Sequence, residues 1–308
     1  MKVLVTCPPM LNSEDQFLPI LEDLGYEVCC PSVKQTLTEI ELIKLVPGFD
    51  GWIIGDDPAT AQVFKAGKEG KLKASIKWGV GTDNIDFDAC RKLGIKIANT
   101  PDMFGNEVAD LALSYLISLA RETYFIDRSI RKGLWPKNSG ISLEGKILGL
   151  VGYGDIGKNL ANKAKIFGLK TIVYDPAIKK LNNDNIALEL WPNKIQKCDF
   201  LVFTCALNKK NIHMFNKSVI KLCKNGLRVI NVARGPLINE EDLCDGLRNH
   251  KIHSAALDVF ENEPINSSSF LLEHPLCILG SHNGSNTIDA VHRTNKIAIH
   301  KLHSFLSN

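Results

Sequence analysis

The stretch "GLVGYGDIGK" (residues 149–158) carries glycines at 152, 154 and 157, a G-x-G-x-x-G spacing. The apolar run "KILGLV" (146–151) leads into it, and the helix-like "KNLANKAKIFG" (158–168) leads out. Between a strand and a helix, each glycine of this pattern has a separate task. The first makes the tight turn, the second lets backbone approach a pyrophosphate, and the third lets the helix pack on the strand. The pyrophosphate then meets unpaired N–H groups and the positive end of the helix dipole. Asp175, closing "TIVYD" (171–175), stands about 20 residues on, where a carboxylate accepts ribose hydroxyls and repels a 2′-phosphate. NAD rather than NADP is therefore expected. A bare packing turn, with Asp175 capping a loop, is the plainer alternative; strand, turn, helix and acid together weigh against it.

A dinucleotide turn usually opens its domain, yet here nearly half the chain precedes it. That first part has its own β-rich runs: "KVLVT" (2–6), "YEVCC" (26–30), "GWIIG" (51–55), "SIKWG" (75–79) and "IKIAN" (95–99). Helical patterns separate them, among them "LTEIELIKLV", where Thr38 and Glu41 form a capping box. Strand–helix alternation predicts a parallel sheet covered on both faces. A long amphipathic stretch follows from Gly105, with Asn106 as its candidate N-cap and apolar positions from Val108 to Ala120. A second series then runs through "KILGLV", "KTIVYD", "FLVFT", "LRVINV", "HSAALDVF" and "LCILG". The tail after Ser285 reads as one more helix, apolar at Ile288, Val291, Ile297, Ile299 and Leu302. The expected fold class is α/β with two doubly wound parallel sheets.

Composition excludes several function classes. With 308 residues and 44% hydrophobic residues the chain fills two cores. A net charge of +3 is too diffuse for a nucleic-acid binder. The densest basic stretch, Lys65 to Lys77, reads as a solvated helix face and loop. Nine cysteines without C-x-x-C or paired Cys/His spacing predict reduced, buried thiols and neither a disulfide framework nor a metal site. With no signal peptide and no membrane span in the pattern, a cytoplasmic protein is expected.

Three further stretches follow apolar runs: "NVARGPLINEEDL" (231–243), "ALDVFENEP" (256–264) and "GSHNGSN" (280–286). In a doubly wound sheet they fall at the C-terminal ends of strands, where ligands bind. They offer Arg234, the carboxylates Asp258, Glu261 and Glu263, and His282. Hydride transfer to a 2-oxo acid needs a forked cation for the carboxylate and an acid–base group near neutral pH. Arg, His and Glu meet that need, although spacing alone does not select His282 from eight histidines.

At these residues the chain resembles the NAD-dependent D-isomer-specific 2-hydroxyacid dehydrogenases, over nearly its whole length. "GVGTDNID" (79–86) and "GIKIANTPDMFGNEVADLAL" (94–113) are most similar to the phosphoglycerate dehydrogenase branch. The resemblance implies that Arg234 binds substrate, that His282 is the acid–base, and that Glu263 hydrogen-bonds His282 and stabilises its imidazolium. It implies cofactor contacts at Gly152, Gly154, Asp155, Ile156, Gly157, Asp175, Thr204, Val232, Ala233, Asp258 and Gly284, with Asp258 on the nicotinamide carboxamide. Substrate contacts are implied at Lys77 and at the backbone of Val80 and Gly81. It further implies a Rossmann cofactor domain (99–285) inserted into a flavodoxin-like substrate domain (1–98 and 286–308), and a homodimer through the helix from about 105.

Two departures from that pattern bear on the substrate. Gly55, followed by Asp56 and Asp57, stands where several phosphoglycerate enzymes place a phosphate-binding arginine, and Lys77 stands where another is common. On the cofactor side, Thr204 and Ala206 replace a frequent histidine or asparagine and a proline. From the length of 308 residues, no C-terminal regulatory domain is expected. The expected activity is hydride transfer between NAD and a D-2-hydroxy acid, with 3-phosphoglycerate the leading substrate. The alternative is an NAD(H)-sensing binding protein of corepressor type, against which stands the absence of long tails.

Overall fold

A computed structural model describes residues 1–181 and 185–307, which divide into two units, Met1–Phe104 with Asn286–Asn308, and Gly105–Ser285. The first unit extends to Phe104 rather than stopping at 98. The last strand of its sheet runs to Asn99, and Thr100 accepts a hydrogen bond from the Gly79 amide of the same unit.

In the first unit β1 (Lys2–Val5), β2 (Glu27–Cys29), β3 (Gly51–Ile54), β4 (Ala74–Lys77) and β5 (Lys96–Asn99) are all parallel, in the order β2-β1-β3-β4-β5. That is the flavodoxin-like order. Every residue of β3 and β4 is buried, as strands covered on both faces require. One face holds Trp52, Ile54, Val63, Phe64 and Leu42. The helix Glu39–Leu45 enters that face through the capping box, Thr38 accepting from the Glu41 amide and donating its own N–H to the Glu41 carboxylate. The C-terminal helix Ile288–Ser307 packs on β3, β4 and β5, and its Asn295 accepts from the Trp78 indole at 2.8 Å. Ile288, at the start of that helix, is 82% exposed and lies outside the buried apolar stripe expected to include it.

In the second unit β6 (Ile147–Val151), β7 (Lys170–Tyr174), β8 (Ile186–Leu188), β9 (Phe200–Phe203), β10 (Leu227–Asn231), β11 (Ile252–Leu257) and β12 (Cys277–Leu279) form one parallel sheet. Its order is β12-β11-β10-β9-β6-β7-β8. The chain winds outward from β6 through β8, then returns to place β9 against the other side of β6. That reversal is the topological switch point where doubly wound sheets bind ligands, and the glycine turn leaves β6 there.

The amphipathic stretch from Gly105 is two helices, Gly105–Arg121 and Thr123–Arg131, broken at Glu122, whose φ of 54° is left-handed. Helical geometry already begins at Gly105, so Asn106 lies inside the first turn instead of capping it. The edge strand β8 was not anticipated. Its three residues have no buried position and carry no alternation long enough to read. Among the described residues no helix is long and apolar enough to cross a membrane, and no cluster of three metal-ligating side chains occurs.

Candidate active site

The three motif glycines differ in what surrounds them. A Cβ on Gly152 (φ 99°) would lie 2.6 Å from the Cys205 amide nitrogen, and one on Gly157 would lie 2.3 Å from the Gly152 carbonyl. Turn and helix therefore meet backbone to backbone, with no room for a side chain. Gly154 has nothing within 4 Å of a built Cβ and its backbone is exposed, as close approach by a ligand requires. Gly154 is also the N-cap of the helix Asp155–Ile166, so unpaired amides of that helix point from it. Thr204, just past β9, donates from its hydroxyl to the Gly152 carbonyl at 2.9 Å and braces the turn.

Asp175 follows β7. Its two carboxylate oxygens accept from the amides of Tyr153 (2.7 Å) and Ala177 (2.9 Å). An ionised carboxylate has about four acceptor sites, so two ribose hydroxyls fit the remainder. Asp155 is placed differently from its neighbours in the motif. Its carboxylate occupies the position a Cβ on Gly105 would take, against the start of the helix Gly105–Arg121, and accepts from the Asn159 side chain (Nδ2) at 3.1 Å. Ile156 is half-buried in the first turn. An open glycine edge, a braced turn and an acid at the end of β7 fit an NAD molecule.

The loops after β10, β11 and β12 converge. Asn231, the last residue of β10, accepts from the Ala233 amide (3.0 Å) and donates to the Arg234 carbonyl (2.8 Å). This fixes Val232 and Ala233, both buried, and leads into Arg234 in extended conformation. A Cβ on Gly235 would sit 1.9 Å from the Phe260 carbonyl, so the loop of Arg234 lies directly on the loop after β11. In that loop Glu263 accepts from the Phe260 amide at 3.0 Å, and its other oxygen lies 2.7 Å from Nδ1 of His282. Both side chains are about one-fifth exposed, at 22% and 20%.

His282 is held in a left-handed backbone conformation, φ 57°, by Asp258. The Asp258 carbonyl accepts from the His282 amide at 2.7 Å. Its carboxylate accepts from Asn283 (3.0 Å) and Gly284 (2.8 Å). Asp258 is 2% exposed; burial pushes its carboxyl up while the two amides pull it back down. Gly280 permits this clamp, because a Cβ there would meet the Asp258 carboxylate at 2.2 Å. Of the three carboxylates read from the sequence, Glu261 has another partner: it lies 2.8 Å from Nε2 of His213 and accepts from the Glu240 amide. Asn231 and His213 were missed. The only trace of Asn231 is a polar residue ending a fully buried strand.

In the first unit, Val80 is 44% exposed, and the turn Gly79–Gly81 is tied to Thr100 and Asn99. Lys77 is not on a solvated face as its neighbours suggested. It ends β4 with its side chain 2% exposed. Asp57 is fully buried and accepts from the Thr6 hydroxyl and from the amides of Leu37 and Gly55. It therefore supports the turn rather than facing a ligand.

The family model described as D-isomer specific 2-hydroxyacid dehydrogenase, NAD binding domain, matches residues 113–284. The chain is 35% identical over 297 residues to the D-3-phosphoglycerate dehydrogenase of Methanocaldococcus jannaschii, an alignment covering 94% of this chain and 54% of that one. It is 33% identical over 271 residues to the hydroxypyruvate reductase of Thermotoga maritima, with 86% and 88% covered. The crystal structure of a glyoxylate reductase from Paecilomyes thermophila superposes with a TM-score of 0.83 at 25% identity, covering 100% of this chain and 96% of that one. The chain spans about half the length of the phosphoglycerate dehydrogenases it matches. A family match over more than half the chain, on the glycine turn and Asp175 described above, makes NAD the cofactor, and the chain belongs to the D-isomer specific 2-hydroxyacid dehydrogenases.

Proposed function

We propose that the chain is an NAD-dependent dehydrogenase that interconverts a D-2-hydroxy acid and its 2-oxo acid. The observation that carries the reading is the 2.7 Å pairing of His282 with Glu263 in the unit that bears the dinucleotide turn. Bound NADH supplies the hydride for the carbonyl carbon. We assign His282 to the proton that travels with it, given from Nε2 to the carbonyl oxygen in reduction and taken back in oxidation. Glu263, facing Nδ1, fixes the ring's orientation and tautomer. Arg234 forks onto the substrate carboxylate, and the backbone at Val80 and Gly81 is assigned to the same group.

We further propose a homodimer through the helix Gly105–Arg121 and the segment after it, where Leu134 and Trp135 are 59% and 75% exposed. Nine thiols with no disulfide among them support a reducing compartment such as the cytoplasm. 3-Phosphoglycerate as substrate is supported only by likeness to one branch. The named relatives are dehydrogenases and reductases by their descriptions, and they lend nothing to a corepressor-type binding protein. The test is NADH consumption against a panel of 2-oxo acids with and without a phosphate. His282→Asn should lower kcat by at least about 10²-fold while NADH affinity stays near wild type. Normal turnover by that variant removes His282 from the chemistry.

A further inference from the structure

Lys77 Nζ lies 2.8 Å from Asp56 Oδ1 and 2.5 Å from the Gly55 carbonyl. Resting on the dehydrogenase reading, we infer that Asp56 sets substrate specificity: it occupies the Lys77 ammonium and excludes phosphorylated 2-oxo acids in favour of unphosphorylated ones.

The cation is committed. A lysine ammonium has three donors, and two of these meet a carboxylate and a carbonyl in a position 2% open to solvent. The pair is neutral as a unit. Its outward component is Asp56, at 36% exposure, so an anion approaching Lys77 meets a carboxylate first. A cleft of about 690 Å³ in this unit is lined by Asp56, Asp83, Asp86 and Asp88; of these, Asp86 caps the helix Phe87–Leu93 and Asp88 is paired with Arg91.

Nor can the neighbouring position supply a replacement. A Cβ on Gly55 would lie 2.9 Å from Cys7 Cα and 3.1 Å from the Thr6 carbonyl, both backbone atoms. No side chain enters there without moving the backbone just past β1, so Gly55 offers no place for a second cation. Asp57 is buried beneath the turn and holds it in place through Gly55 and Leu37. Val80 and Gly81, assigned to the substrate carboxylate, follow Lys77 within four residues. The substrate tail is therefore read beside a neutral pair with an acidic rim, which suits a short hydroxylated or unsubstituted tail.

The experiment compares kcat/KM for hydroxypyruvate and 3-phosphohydroxypyruvate with NADH, in wild type, Asp56→Asn and Asp56→Glu. Wild type should favour hydroxypyruvate by at least about tenfold, and Asp56→Asn should narrow that ratio by at least about tenfold, chiefly through KM for the phosphorylated acid, because the like charge is gone. Asp56→Glu keeps the charge and should keep the ratio. A wild-type preference for the phosphorylated acid overturns the inference without any variant, as does an unchanged ratio in Asp56→Asn. No NADH consumption with either acid, while other 2-oxo acids are reduced, overturns the inference alone; no consumption with any 2-oxo acid overturns the dehydrogenase reading, and the inference with it.

Discussion

Asp258→Asn separates two roles for one buried carboxylate. Asp258 takes three backbone hydrogen bonds from the loop of His282, one through its carbonyl and one through each carboxylate oxygen. Asparagine keeps the carbonyl and one side-chain acceptor but turns an NH₂ toward an amide N–H. The loss is one charge-assisted hydrogen bond, about 1.5–3 kcal/mol. That is comparable to the roughly 1–2 kcal/mol cost of a left-handed backbone at a non-glycine residue. The clamp then no longer outweighs the strain at His282, and the ring leaves its productive position for part of the time. At about 1.4 kcal/mol per factor of ten, kcat should fall roughly 10- to 150-fold. The fold itself should be little affected, since a neutral amide removes the burial penalty that pushes the Asp258 carboxyl up. Steady-state kinetics at saturating NADH, with thermal unfolding of the same samples, reads both quantities. If Asp258 serves only the nicotinamide carboxamide, NADH affinity drops and kcat at saturation holds. A kcat within about twofold of wild type refutes the clamp.

Two further outcomes follow from the cofactor turn. Gly157→Ala forces a methyl against the Gly152 carbonyl 2.3 Å away; overpacking of this kind costs about 1–3 kcal/mol. Lower thermal stability and weaker NADH binding by fluorescence titration should appear together, and unchanged affinity would separate the turn from the cofactor. Asp175→Ser removes the acceptor for ribose hydroxyls and should narrow the NAD/NADP preference by at least about tenfold, from the loss of a charged hydrogen bond; equal use of both cofactors by the wild type would count against the carboxylate's role.

The parts of the fold that could be read from sequence are those that depend on local pattern. β1, β3 and β6 are continuous apolar runs, and the Thr38–Glu41 box is a four-residue signal, so each is visible without knowledge of its neighbours. β8 is three residues long and lies at a sheet edge, so neither burial nor alternation marks it. The break at Glu122 depends on one backbone angle inside a continuous amphipathic pattern. At the candidate site, the glycine turn is legible because sterics dictate its residue types. The meeting of His282 with Glu263 is not, since it depends on two loops 19 residues apart in sequence. Lys77 is the clearest failure of composition-based reading. A lysine in a basic stretch is expected in solvent, and the tertiary approach of Asp56 and the Gly55 carbonyl, 21 and 22 residues away, makes its burial tolerable.

Hydride transfer is the claim on which the rest depends, and isotopic labelling tests it most directly. The wild-type protein is incubated with hydroxypyruvate and NADH deuterated at the transferable position of the nicotinamide, and the product is analysed by NMR and on a chiral column. The account predicts one deuterium at C2 of a D-2-hydroxy acid for each NADH consumed. Consumption of NADH without deuterium at C2, or an L product, would contradict it.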